Sequence, residues 1–177
     1  RLCLLLMRQI MTAVKTKTIR QAIGIPSCLR ILMGFSIVKA MEEMSDYYVR
    51  IVEEVQWMMS RNVTPSRKVL MEILRLCQSV QQNSDLAITA LFNDDLKLAN
   101  KVIGNLDHMA KDKELIESLS TKVKDVGTAI GLRSIIQNLG LVARCCRTIA
   151  EATIDGISEG LCETNYSNVP NGIVRPV

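Results

Sequence analysis

Aromatic residues, proline and glycine are all scarce in this chain of 177 residues. Phe, Trp and Tyr make up 3 % of it, and there are 4 prolines and 9 glycines against 48 % hydrophobic residues. The apolar set is therefore mostly Leu, Ile, Val, Ala and Met, in segments that proline and glycine rarely interrupt. This composition favours packed helices over a β-sandwich. The length suits one domain, or two small ones that share a core.

Paired cysteines and histidine clusters are also missing. The lone histidine, His108, lies in no Cys/His cluster, and no CxxC pair occurs among the six cysteines, which are Cys3, Cys28, Cys77, Cys145, Cys146 and Cys162. A zinc finger or a small disulfide framework is therefore not expected. Reduced thiols that pack like small apolar residues are the expected state.

Long uncharged runs and an excess of one charge are absent as well. No stretch reaches the roughly 18 apolar residues of a membrane span, and the apolar run at the start ends at Arg8, too early for a signal peptide. The net charge of +4 is spread among acidic residues, which indicates a solvated surface rather than a nucleic-acid-binding one. We expect a cytoplasmic protein, and the start at Arg1 suggests a piece of a longer one.

Motifs for nucleotide and hydrolase chemistry are missing. The sequence has no GxxxxGK followed by Ser or Thr, no GxGxxG after a strand, and no GxSxG. The residues that nucleotide-binding and hydrolase sites require are therefore absent, so we do not expect an enzyme.

Apolar residues at three-to-four spacing predict five helices. They span residues 1–21, 27–61, 65–112, 113–129 and 132–162, followed by an unstructured tail over 163–177. Tight connections are expected at the AIGIPS segment, which contains Gly24 and Pro26, and at Gly131. The segment NDD (93–95) is interpreted as a kink, because the apolar periodicity continues through it.

The helix over 27–61 has two different faces in its segment 38–54. At 100° per residue, one set of side chains falls within about 80° and is expected to face the core; it consists of Ile37, Met41, Met44, Tyr48, Val52 and Val55. On the other side, Glu42, Asp46 and Glu53 fall within about 40° of one another. No backbone requirement explains this acidic line.

An internal repeat organises the chain. AIGIPSCLRIL (22–32) aligns with AIGLRSIIQNL (129–139), and Ala, Ile, Gly, Ser and the final Leu are identical. Each copy connects a shorter helix to a long one. The expected fold is all-α, an antiparallel bundle of long helices in two three-helix units. The first unit, over 1–62, lacks its opening helix, and the second spans 65–162.

These features resemble the PhoU family of phosphate-uptake regulators, and more closely its archaeal members. A PhoU repeat is a three-helix unit whose third helix carries a pattern of the form LERIADHAxNIAE. Here MEEMSD (41–46) stands where LERIAD stands, so Glu42 and Asp46 keep the ExxxD spacing.

The second unit departs from this pattern. Its matching stretch is CRTIAE (146–151), in which Arg147 replaces the first acid and Glu151 replaces the Asp. A shifted ExxxD pair, Glu151 with Asp155, lies one turn further on. The first helix of this unit, ALFNDDLKLANKVI (90–103), also resembles the family.

The resemblance implies that ExxxD pairs lie on the outer face and hold iron, zinc or another divalent metal. The candidate metal ligands are Glu42, Asp46, Glu151 and Asp155. Carboxylates one turn apart can share a cation; the alternative is a solvated acidic face. For Glu151 and Asp155 that alternative is favoured, because Arg147 places a cation beside them.

The resemblance also implies a regulator of phosphate uptake and phosphate signalling that acts through protein contacts. Its expected partners are the ATPase of a phosphate ABC transporter or a protein of the sensor-kinase type. A homodimer is expected, with no direct nucleic-acid binding and only indirect membrane contact. One alternative is the sensing or dimerising half of a transcriptional regulator whose DNA-binding N-terminal domain is absent here. A di-iron carboxylate enzyme ranks low, because no ExxH motif is present.

Two further positions have competing interpretations. Cys145 and Cys146 lie beside Arg144 and Arg147, and a neighbouring cation can activate a thiol. Adjacent helix positions point 100° apart, so only one of the two cysteines is expected in the core, and a packing role is favoured. For His108 a solvated position is favoured over a role as ligand or base.

Overall fold

The fold consists of helices alone in the part of the chain that is described. The structure, a computed structural model, describes residues 2–22, 27–120, 123 and 125–167, and no strand occurs among them. The helices are α1 (Leu2–Lys15), α2 (Lys17–Ala22), α3 (Cys28–Ser60), α4 (Arg67–Asn93), α5 (Leu96–Ser120) and α6 (Val126–Ser167). The expected all-α fold is confirmed, although the helix predicted over 1–21 is interrupted at Thr16.

The single long helix predicted over 65–112 is wrong, because the chain reverses direction between α4 and α5. Asp94 adopts the left-handed conformation (φ 48°, ψ 42°) and ends α4. The Asp95 N–H donates to the Ala90 carbonyl at 3.0 Å, and its carboxylate accepts from two N–H groups in the first turn of α5 at 2.9 and 3.0 Å. Aspartate tolerates the left-handed region and caps helix starts well, so this pair closes a tight helical hairpin.

The connection before α6 also differs from the prediction. α5 continues to Ser120, so 113–129 is not one helix, and Gly131 lies inside α6 rather than in a turn. The Asp125 carboxylate, just before α6, accepts from the Thr128 hydroxyl at 2.6 Å and from the Thr128 backbone N–H at 2.7 Å. Both hydrogen bonds lower the pKa of Asp125, and the one from the Thr128 hydroxyl has the larger effect.

α6 ends later than predicted. Residues 163–167 were expected in an unstructured tail but are helical, and α6 reaches Ser167. The first proline in this region is Pro170, so no residue before it removes a backbone donor from the helix. The rest of the predicted tail, 168–177, and the predicted turn residues 23–26 lie outside the described residues.

α6 occupies the centre of the fold. It packs against α3 on one side and against α4 and α5 on the other, while α1 packs on α3. Its most deeply buried side chains are Leu132, Ile136, Leu139, Val142, Cys146 and Ile149. By length and composition alone, Val126–Glu159 is apolar enough to cross a membrane. A buried core helix meets the same criterion, and the packing of α6 among three helices accounts for its apolar character.

α3 and α6 run antiparallel and approach closely. Ser27, which caps the start of α3, donates a hydrogen bond from its hydroxyl to Glu159 late in α6. Near the other end of α3, Met58 lies against Gly131. A Cβ at Gly131 would lie 2.8 Å from the Met58 Sδ, so glycine permits this helix spacing.

Truncation of the α6 core is expected to destabilise the fold. Ile136 is fully buried, whereas Ile130, on the same helix, is 61 % exposed. Ile136→Ala should therefore lower the free energy of unfolding by about 2–5 kcal/mol through lost apolar contact and a residual cavity. Ile130→Ala should change it by less than about 0.5 kcal/mol. Urea denaturation followed by circular dichroism measures both, and equal effects would contradict the central position of α6.

The Asp125 cap is expected to make stability depend on pH. Its pKa is lower in the folded chain than in the unfolded one, so its contribution is full above the unfolded pKa, about 3.9. That contribution is lost as the pH falls through the folded pKa. Asp125→Asn keeps a capping side chain without a titrating group. Urea midpoints should therefore fall less steeply with acid in Asp125→Asn than in the parent; parallel curves would contradict this.

Candidate functional site

The buried face of α3 is not the apolar stripe that the sequence predicts for this helix. Ala40, Met44 and Met58 belong to the core. Of the six residues predicted to face the core, only Met44 is buried; Ile37 and Tyr48 are half-buried, and the exposed ones are Met41, Val52 and Val55. At 100° per residue, the buried face is centred roughly 70° from the predicted stripe. The prediction was therefore wrong for half of its members.

An exposed apolar line runs along α3. This outer line consists of Met41, Val52, Val55 and Met59, which are 42, 54, 40 and 72 % exposed. The four side chains fall within about 60° of one another on the helix. α6 and α1 pack closely on α3, and the Tyr48 hydroxyl reaches the Ser84 hydroxyl of α4 at 3.2 Å. These contacts leave the four side chains of the outer line exposed.

The first part of the chain adds further exposed apolar groups. They are Leu4, Leu5, Leu6, Met11 and Val14 on α1, Ile19 on α2, and Leu29, Leu32 and Phe35 at the start of α3. Single exposed apolar residues are normal, but a concentration of them is typical of a contact surface. The outer line is thus the candidate site for binding another protein, and the exposed residues of α1, α2 and the start of α3 form a separate apolar group.

Glu42 does not point freely into solvent. The Cys3 thiol of α1 donates to its Oε2 at 3.2 Å, and the Lys39 Nζ lies 3.5 Å from the same atom. The hydrogen bond from the Cys3 thiol lowers the pKa of Glu42 most, and the Lys39 ammonium lowers it further. The other two members of the acidic line, Asp46 and Glu53, are exposed. The predicted acidic line therefore has one partly covered end, against α1.

The acids of the second unit are exposed on α6. Glu151 lies 4.0 Å from the Arg147 Nη1, one turn away, and Asp155 is exposed one turn further on. The structure therefore places Arg147 beside Glu151, as the spacing predicts. Exposed pairs at this spacing contribute little to stability.

The predicted metal positions offer few ligands. Glu42 and Asp46 share one helix turn, as do Glu151 and Asp155. In the described part of the chain, no group of three or more His, Cys, Asp or Glu side chains is arranged to hold a metal ion. Iron or zinc normally takes four or more ligands, so these carboxylates alone do not fit such an ion. Metal binding at these positions stays a prediction.

Both cysteines of the Cys145–Cys146 pair are buried. The expectation that only one lies in the core is wrong, because α6 packs on two sides. Burial raises the pKa of Cys145 to about 11 and also raises the pKa of Cys146, whose Sγ lies 3.3 Å from the Ser84 hydroxyl. A reactive thiol needs a lowered pKa, so the structure favours the packing role. His108 is exposed on α5, in line with the favoured solvated position.

A buried polar contact between α4 and α5 was missed from the sequence. The Asn83 side chain is fully buried, donates to the Val102 carbonyl at 3.3 Å and accepts from the Asn105 amide at 3.0 Å. The available signal was an asparagine at a core position, between Val80 and Ala87. Such a residue fixes the pairing of two helices, because its unpaired burial is costly.

Residues 73–153 match the family model described as PhoU domain. This segment, a little under half of the chain, is similar to a PhoU domain. The match covers most of α4, all of α5 and α6 as far as Thr153, so it spans parts of three consecutive helices. No curated protein and no solved structure matches the chain. That the chain divides into repeats over 1–62 and 65–162 stays a prediction.

Metal analysis tests the carboxylates of α3, which lie before the PhoU domain match. If Glu42 and Asp46 hold a divalent metal, the purified full chain should retain it after dialysis, and Glu42→Ala with Asp46→Ala should lose it. Glu53→Ala, which removes an exposed acid from the same helix, is the matched control. Elemental analysis by mass spectrometry measures the content, and no metal above background in the parent would refute the assignment.

Proposed function

We propose that the protein is a PhoU-type regulator of phosphate uptake and phosphate signalling, acting through protein contacts rather than catalysis. The observation that carries this proposal is the PhoU domain match over α4, α5 and α6. The absence of nucleotide and hydrolase motifs from the sequence supports a regulatory role.

The outer line of α3 is the proposed docking surface. Its exposed apolar side chains are densest over Val52, Val55 and Met59, about two helix turns, which suits a helix of another chain packed side by side. Packing of this kind occurs within the fold, where α4 and α5 bury one side of α6. The proposed partner is the ATPase of a phosphate ABC transporter, with a sensor-kinase-type protein as the other expectation from the family resemblance. A homodimer is also proposed.

A cytoplasmic location follows from this proposal. A transporter ATPase works on the cytoplasmic side, so its regulator must be present there. The proposal is compatible with α6, whose apolar side chains pack inside the fold. Contact with the membrane would then be indirect, through the transporter.

Charge placed on the outer line is expected to weaken partner binding. Val52→Glu with Met59→Glu puts two carboxylates where an apolar partner surface would exclude water, so affinity for the transporter ATPase should fall about tenfold or more. Phe92→Glu is the matched control, because Phe92 is 77 % exposed on α4, away from the outer line. Biolayer interferometry with purified proteins measures affinity, and light scattering reports the oligomer.

Two outcomes would count against this assignment. Equal binding by the parent and the double variant would remove the outer line from the interface. No binding of the parent to the ATPase would reject that partner. Circular dichroism of each variant confirms that the helices remain folded.

A further inference from the structure

We propose that a cavity between α4, α5 and α6 binds a small anionic amphiphile, meaning an apolar chain with a carboxylate or phosphate head group. The cavity has a volume of about 300 Å³, at the lower end of the range for ligand sites. This binding would be a second property of the protein, separate from partner docking on α3.

The floor of the cavity is apolar and shielded from water. It is formed by Leu76 and Val80 of α4, Leu106 and Met109 of α5, and Leu139 of α6, all of which are buried. A space lined in this way holds water poorly, since a bound water needs two or more polar partners. An apolar group entering the cavity therefore gains contact without displacing well-bound water.

The rim of the cavity is cationic. Lys113 of α5 and Arg144 and Arg147 of α6 all line it, and none of its lining residues is acidic. Arg144 and Arg147 lie one and two turns after Gly140, on the same side of α6. Guanidinium groups bind carboxylate and phosphate through paired hydrogen bonds. A positive rim above an apolar floor matches a ligand with one charged end.

The Lys113 side chain lies against Gly140 at this rim. A Cβ at Gly140 would lie 3.4 Å from the Lys113 Nζ and 3.5 Å from two carbons of its side chain. The lysine therefore lies over the side of α6 from which Arg144 and Arg147 also extend.

Arg147 can exchange its present partner for a ligand. Its contact with Glu151 is 4.0 Å long, and both side chains are about half exposed, so the pair contributes little. The side chain at position 147 carries a positive charge, which attracts an anion.

Binding assays on the full chain test the proposal. Isothermal titration with dodecanoate and with dodecyl phosphate should show saturable binding of one molecule per chain, and the better ligand identifies the head group. Inorganic phosphate should bind at least about tenfold more weakly than dodecyl phosphate, because it cannot use the apolar floor. Equal affinity for the two phosphates would overturn the amphiphile assignment.

Variants localise the binding to this cavity. Arg144→Gln with Arg147→Gln should weaken binding at least about tenfold, whereas Arg133→Gln, which removes an exposed cation elsewhere on α6, should leave it unchanged. Ala110→Phe, which fills the mouth of the cavity from α5, should also weaken binding while leaving the rim charges in place. Binding that survives both the double variant and Ala110→Phe would overturn the proposal, as would the absence of saturable binding to the parent.

Discussion

Burial of α6 on two sides determines where the other long helices lie. On one side, α3 comes close to α6 at Gly131 and Gly156: an added Cβ would lie 2.8 Å from the side chain of Met58 or Met33, which would have to shift. These glycines are 25 residues apart, roughly 37 Å along the helix, so the close approach persists over most of α3. On the opposite side α4 and α5 bury the other half of α6. The exposed face of α3 is what remains once this packing is satisfied.

Helix content was predictable from the sequence, but the chain reversal at Asp94 was not. Leu91 and Leu98 are seven residues apart, the spacing of two helix turns, so the apolar pattern continues through the turn. In the folded chain these residues belong to two different helices that face the same core. Periodicity records which side of a residue is buried and carries no information on chain direction. The left-handed conformation of Asp94 was the decisive feature, and the NDD segment alone suggested only a kink.

The predicted faces of α3 failed for a related reason. The helix carries apolar residues around more than half of its circumference, and its sequence does not indicate which part meets α6. Ala40 and Met58 are on the buried side, where Met58 packs against Gly131 of α6, whereas Val52 remains exposed. A hydrophobic stripe therefore predicts that a surface will be covered, but not by which neighbour. The same limit applies to Cys145 and Cys146, which are both buried because α6 has two packing sides.

Two of the carboxylates predicted to bind metal have a cationic side chain beside them on the same helix. Glu42 has Lys39 one turn before it, and Glu151 has Arg147 in the same relation. Exposed pairs of this kind contribute only a few tenths of a kcal/mol, so they would not by themselves prevent a metal from binding. The stronger restriction is ligand number, since each pair supplies two carboxylates and a stable iron or zinc site needs more. At Arg147 the chain goes further: its side chain borders a cavity with two other cations and no acid, where the favourable occupant is an anion.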